Sequence, residues 1–220
     1  MEPKRQGRLT PYLTLNGVVR LMSAPTAAAR EKVLGDFKYP AEGGAQGNYY
    51  GWARAAVRKY HVVGNKPEVF DQEEQEMLAR MVGANSATVG KLEHNLRVIR
   101  AYRNLFGDRL FAPQPHNPKT VFCEGVEVNL RPDMVALEKK RTRLIRYEFS
   151  KDGARPEELR HTMQLLFFYA RETGISVENQ DCQLLVVADG TCHKASGPSK
   201  SFESQFKAAM REANRLWKDI

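Results

Sequence analysis

The proline-rich stretch APQPHNPK at residues 112–119 separates two different hydrophobic rhythms. Apolar residues that recur every three or four positions bury one face of a helix, and apolar residues that alternate bury one face of a strand. A chain that carries both, in that order, has to fold as a mixed architecture.

Upstream of the break the helical period dominates. Pro25-Thr26 lead into AAAREKVLGDF, and YPAEGGAQG is a turn-rich interruption. GNYYGWARAAVRKYH then puts Trp52, Ala56 and Tyr60 on one face, and DQEEQEMLARMVG follows as a further helix. In SATVGKLEHNLRVIRAYRNLFG, Ser86 reads as the N-cap, Val89, Leu92, Leu96 and Ile99 as the buried stripe, and Gly107 as the stop. Residues 1–70 read as helical and loosely organised.

Downstream, TVFCEG, EVNLRPDMVAL and RLIRYEFS read as three strands, separated by a turn at Gly125 and the charged loop EKKRT. Pro156 opens the helix EELRHTMQLLFFYARETG, and Gly174 closes it. QLLVVA is a continuous apolar run, expected of a buried, parallel strand. The last helix carries Phe202, Phe206, Met210, Ala213 and Trp217 on one stripe. The expected class is α/β: a mixed sheet flanked by helices over residues 86–220, with a helical portion over residues 1–85.

No apolar run approaches the roughly 20 residues that cross a bilayer, and MEPKRQGRLTPYL has no apolar leader, so a cytoplasmic protein without a membrane partner is expected. Cys123, Cys182 and Cys192 are odd in number and widely spaced, which argues against a disulfide framework, a zinc site or a cysteine-held cluster. The net charge of +8 favours a polyanion as partner. Arg131, Arg143, Arg146 and His161 belong to a concentration of basic residues around Asp133 and are the expected nucleic-acid contacts.

The chemistry sits between Val126 and Gly153. One strand carries Pro132-Asp133, and the next ends in Glu148-Phe149-Ser150-Lys151. Paired carboxylates on adjacent strands hold Mg²⁺ or Mn²⁺ through oxygen, and such an ion neutralises a phosphate and acidifies a water. Alternation places Arg146, Glu148 and Ser150 on one face and Ile145, Tyr147 and Phe149 on the other. Lys151 follows at the strand end beside Asp152-Gly153, where a bulge or early turn can redirect its ammonium toward the acids. The plainer reading makes Asp133 and Glu148 solvated strand residues, but acids are depleted in strands, which favours function. Glu93 and His161 have plain readings as surface residues, Leu165, Phe167 and Phe168 as core packing, and Cys182 as a small apolar residue.

This run resembles the PD-(D/E)XK nuclease signature, with E-x-S-K in place of E-x-K. The predicted element order is similar to the αβββαβ restriction-endonuclease-like core of that superfamily. Within it, the chain resembles the RecB-type exonucleases, which include the CRISPR-associated adaptation nucleases. Thr10-Pro11-Tyr12-Leu13 is similar to the family's S/T-P-x-x-L element. Gly47-Asn48-Tyr49-Tyr50-Gly51 is similar to its G-x-x-x-H element, with Gly51 where the family has a metal-binding histidine. The resemblance implies that Asp133 and Glu148 bind the metal and that Lys151 is a displaced catalytic lysine. It also implies that Gln164 positions substrate or water and that Tyr169 takes the place of the family's aromatic. The implied activity is a metal-dependent nuclease, on DNA in preference to RNA. The departures at Ser150 and Gly51 leave a second reading open: a nuclease-fold module that binds nucleic acid, or a protein partner in a larger complex, without cleaving. An unrelated α/β binding protein is a third.

Overall fold

A computed structural model of the protein describes residues 7–40, 49–150, 154–197 and 199–220. It has the mixed α/β architecture expected of the two periodicities. A five-stranded mixed sheet has the order β2-β5-β6-β7-β8, formed by Ala112–Pro113 (β2), Met134–Glu138 (β5), Arg141–Glu148 (β6), Cys182–Val186 (β7) and Thr191–Lys194 (β8). A second sheet of three strands, ordered β1-β4-β3, joins Tyr12–Thr14 (β1), Val121–Cys123 (β3) and Val126–Asn129 (β4).

Three expectations need correcting. The segment EVNLRPDMVAL is two strands, because Pro132 lacks the N–H a continuous ladder requires; β4 ends at Asn129, and β5 starts in the other sheet at Met134. The N-cap of the long helix Ser86–Phe106 (α5) is Asn85, whose side chain accepts from the Thr88 amide at 2.9 Å. Nor is the N-terminal stretch loosely organised. Leu15–Met22 (α1) and Ala27–Lys38 (α2) bury Val18, Leu21 and Leu34, and β1 runs parallel to β4.

The remaining helices follow their sequence signals. Pro156–Thr173 (α6) starts on Pro156, the Glu158 carboxylate accepts from the Arg155 amide, and Gly174 ends it at φ +76°. As predicted, β7 is fully buried and parallel to β6, with α6 making the crossover. The final helix, Lys200–Leu216 (α7), buries Phe202, Phe206, Met210 and Ala213.

The two faces of the five-stranded sheet feed two cores. Ile145, Tyr147 and Phe149 enter one, packed by Gly51–Val62 (α3), Glu68–Met81 (α4) and α5. Val135 and Leu144 enter the other, with α1, α2, α6 and α7. Both cores draw residues from either side of residue 85. Among the described residues, no helix is long and apolar enough to cross a membrane.

Candidate functional site

Asp133 occupies the break between β4 and β5. Its amide donates to the Ile145 carbonyl at 2.9 Å, which extends the β5–β6 ladder and sets Asp133 opposite Arg146. Alternation along β6 brings Glu148 to the face of Arg146, so the two predicted acids and one predicted arginine share a face.

The Asp133 carboxylate is nearly buried and heavily engaged. Oδ2 accepts from the Tyr147 amide at 2.8 Å, and Oδ1 accepts from Arg54 Nε at 3.1 Å and Arg146 Nη1 at 3.0 Å. A carboxylate has about four lone-pair sites, and these three donors take most of them. Arg54 also lies over the Phe149 ring, 5.2 Å from its centroid, and Arg146 reaches Asn16 Oδ1 at 3.0 Å. At the end of β6, Glu148 Oε1 accepts from the Ser150 amide at 2.8 Å and from its hydroxyl at 2.6 Å. Lys151 lies outside the described residues.

Asp133 and Glu148 line one cavity of about 570 Å³ together with Arg54, Arg131 and Arg146. Three guanidinium groups against two carboxylates leave it net positive. Gly51, at the start of α3, and Tyr49 and Tyr50 form part of the wall, with residues 14–16 of β1 and α1.

The other expected site residues lie elsewhere. Gln164 is buried on α6, where Nε2 donates to the carbonyls of Ser196 at 2.9 Å and Gly197 at 3.2 Å beside a separate cavity of about 280 Å³. Tyr169 is fully buried in the core and presents no surface to the carboxylate cavity. Arg143 is committed to Glu138 at 3.2 Å and to Asp181, inside a network with Arg109. His161 is buried against Phe202, and its burial pushes its pKa below the usual value; neither a surface residue nor an open phosphate contact describes it. Glu93 is exposed on α5 and does not line the carboxylate cavity.

Comparison with protein-family models, with curated proteins and with solved structures finds no match.

The site's geometry therefore stands on its own residues. Arg54 is the principal member that the sequence reading missed. On α3 it belongs to the polar face opposite Ala56 and Tyr60, and nothing local to a helix names the strand residue its guanidinium will meet. The weak signal was its spacing from Arg58, four residues on, which stacks two cations on one helix face.

Proposed function

We propose that the protein is a metal-dependent nuclease on a PD-(D/E)XK, restriction-endonuclease-like core, acting on DNA in preference to RNA. The observation that carries the reading is the meeting of Asp133 and Glu148 in one cavity with Arg54, Arg131 and Arg146. The donor set suits Mg²⁺ or Mn²⁺: Mg²⁺ is held by one or two carboxylates, with water and substrate phosphate completing its shell. Bound there, the ion would supply charge neutralisation and an acidified water. The arginines bind and orient a phosphodiester, for which their planar, bidentate donors are suited. Arg54 and Arg146 hold Asp133 in place before ligand arrives, and a phosphate competes with that carboxylate for their N–H groups. The family's histidine position, Gly51, opens onto this same cavity, which supports the resemblance.

Three observations favour the second reading, a module that binds without cutting. Asp133 is already paired with two arginines, Glu148 with Ser150, and the lysine and histidine positions of the family hold Ser150 and Gly51. A cleavage assay with Mg²⁺ or Mn²⁺ on single- and double-stranded DNA and on RNA separates the two. The nuclease reading expects cutting that disappears in Asp133→Ala, Glu148→Ala and Lys151→Ala while binding survives. Cutting indifferent to Glu148→Ala ends it. Binding without cutting, gaining activity only in Ser150→Lys with Gly51→His, establishes the second.

A further inference from the structure

Beside the carboxylate cavity lies another of about 570 Å³, and the two share Arg131, Pro132 and Asp133. Its far wall is the 113–118 loop. β2 pairs antiparallel with β5, and the Gln114 amide then donates to the Val135 carbonyl at 2.8 Å, which pins the start of the loop. Pro113, Pro115 and Pro118 stiffen the rest by fixing their own φ angles. The hollow is therefore a built feature of the strand entry.

Its charged lining is one-sided. Arg58 comes from α3, one turn beyond Arg54, and Arg131 from the strand break; His116 comes from the loop. Among the described residues, neither guanidinium has a carboxylate partner, and His116 Nε2 is buried without a hydrogen bond. Among the described residues Asp133 is the only acid lining this cavity, and its oxygens are taken by Arg54, Arg146 and the Tyr147 amide. Two guanidinium groups held beside an imidazole with no counter-charge of their own disfavour its protonation. Burial, then Arg131 and Arg58, accordingly push the His116 pKa down. A bound anion reverses that effect.

We propose that the cavity walled by Arg58, His116 and Arg131 is a second phosphate subsite, taking a phosphate of the same nucleic-acid strand whose phosphodiester lies at Asp133 and Glu148. The inference rests on the nucleic-acid reading above and adds the direction in which the strand leaves. Arg54 serves one cavity and Arg58 the next, about 6 Å apart along the helix axis. That is a step suited to neighbouring phosphates on one strand. Forked guanidinium donors match phosphate oxygens better than they match any neutral ligand.

The test is fluorescence anisotropy of a labelled oligonucleotide in EDTA across a salt series. It compares the native chain with Arg58→Gln, the Arg58→Gln/His116→Gln pair, Arg58→Lys, Arg146→Gln and, as a control away from both cavities, Arg103→Gln. The double variant is expected to weaken binding and to flatten the slope of log K against log salt by about 0.7–0.9, the loss of one phosphate contact. Arg58→Lys is expected to keep most of the slope, and Arg103→Gln all of it. Thermal melts check that each variant is folded; Arg58 is exposed, so its replacement disturbs no packing. If the double variant binds like the native chain while Arg146→Gln does not, the subsite is wrong and the carboxylate cavity stands. If neither changes binding, or the native chain binds no oligonucleotide at low salt, both readings fall. Oligonucleotides with and without a terminal phosphate identify the source: an effect of Arg58→Gln on both forms marks an internal phosphate, and an effect confined to the phosphorylated form marks a terminal one.

Discussion

Asp133 is where two demands on one side chain compete. As a folding element it neutralises Arg54 and Arg146; under the proposed nuclease reading it would have to give them up to a metal. Asp133→Asn separates the demands. It leaves two partly buried guanidinium groups without a counter-charge, and is expected to lower stability by about 1–2 kcal/mol, less than for a fully buried pair because both arginines keep some solvent. The same change removes a negative charge from the cavity proposed to take a phosphodiester. Nucleic-acid affinity at low salt is expected to rise about fivefold, near 1 kcal/mol, even as cleavage disappears. Anisotropy on the variant checks it, and weaker binding would mean that these arginines do not face the phosphate. His61 gives a pH dependence of another kind. It is buried among aromatic rings, with Nε2 2.7 Å from the Tyr102 hydroxyl, and burial pushes its pKa down to about 4. The unfolded chain binds a proton near pH 6.5, so the native state is favoured fully above that value and loses stability as pH falls from about 6.5 to 4. The loss is expected to total about 3 kcal/mol, and denaturant unfolding across that range should show it vanish in His61→Gln. Strand alternation placed Glu148 on the face of Arg146, as in β6, whereas Asp133 was legible only through the Pro-Asp pair. Arg54 was not, because a helix's polar face does not announce its tertiary partner.

At the scale of elements, the caps and stops of α5 and α6 were readable to within a residue, since they depend on local backbone chemistry. The splitting of EVNLRPDMVAL depends on which sheet each half joins, and the only local sign was Pro132. The charged loop EKKRT between β5 and β6 was legible, but that it closes as a turn of only Lys139 and Lys140 was not. EKKRT carries no glycine or asparagine, yet Lys139 and Lys140 take φ of +47° and +64°, the conformation of a two-residue turn that favours Asn-Gly. A side chain in that region costs roughly 1–2 kcal/mol relative to glycine. Lys140→Gly is therefore expected to raise stability by about 1 kcal/mol with no change in fold, read as a higher denaturation midpoint. On the same hairpin, Arg143 lies between Glu138 and Asp181. Arg143→Glu places three acids together and is expected to destabilise the chain by about 3 kcal/mol or more, so any loss of nucleic-acid binding in that variant reports unfolding rather than a lost contact.

The whole molecule is built around the five-stranded sheet, and the first 85 residues supply side chains to the cores on both of its faces. On one face, Leu13, Leu15, Val18, Leu21 and Leu34 are almost wholly buried against α6 and α7; on the other, Ala53, Val57, Tyr60, Phe70 and Met77 are buried against α5 and the sheet. The periodicity of the N-terminal helices showed that they have apolar faces, but not that β1 would complete a sheet with β4, a pairing across more than a hundred residues. Burying an aliphatic side chain contributes about 1.5–3 kcal/mol, so the first five of these residues alone supply about 8–15 kcal/mol, as much as the net stability of a typical domain. A fragment of residues 86–220 retains every candidate site residue except Arg54, Arg58 and those that β1, α1, α3 and the two tyrosines before it supply, yet it strips α3 and α4 from one core and β1, α1 and α2 from the other, leaving both partly open to water. It is expected to lack a cooperative thermal transition, to bind a hydrophobic dye and to lose near-ultraviolet circular dichroism. A fragment that melts cooperatively would show that the strand-bearing half carries its own core, and that the N-terminal helices serve the cavity rather than the fold.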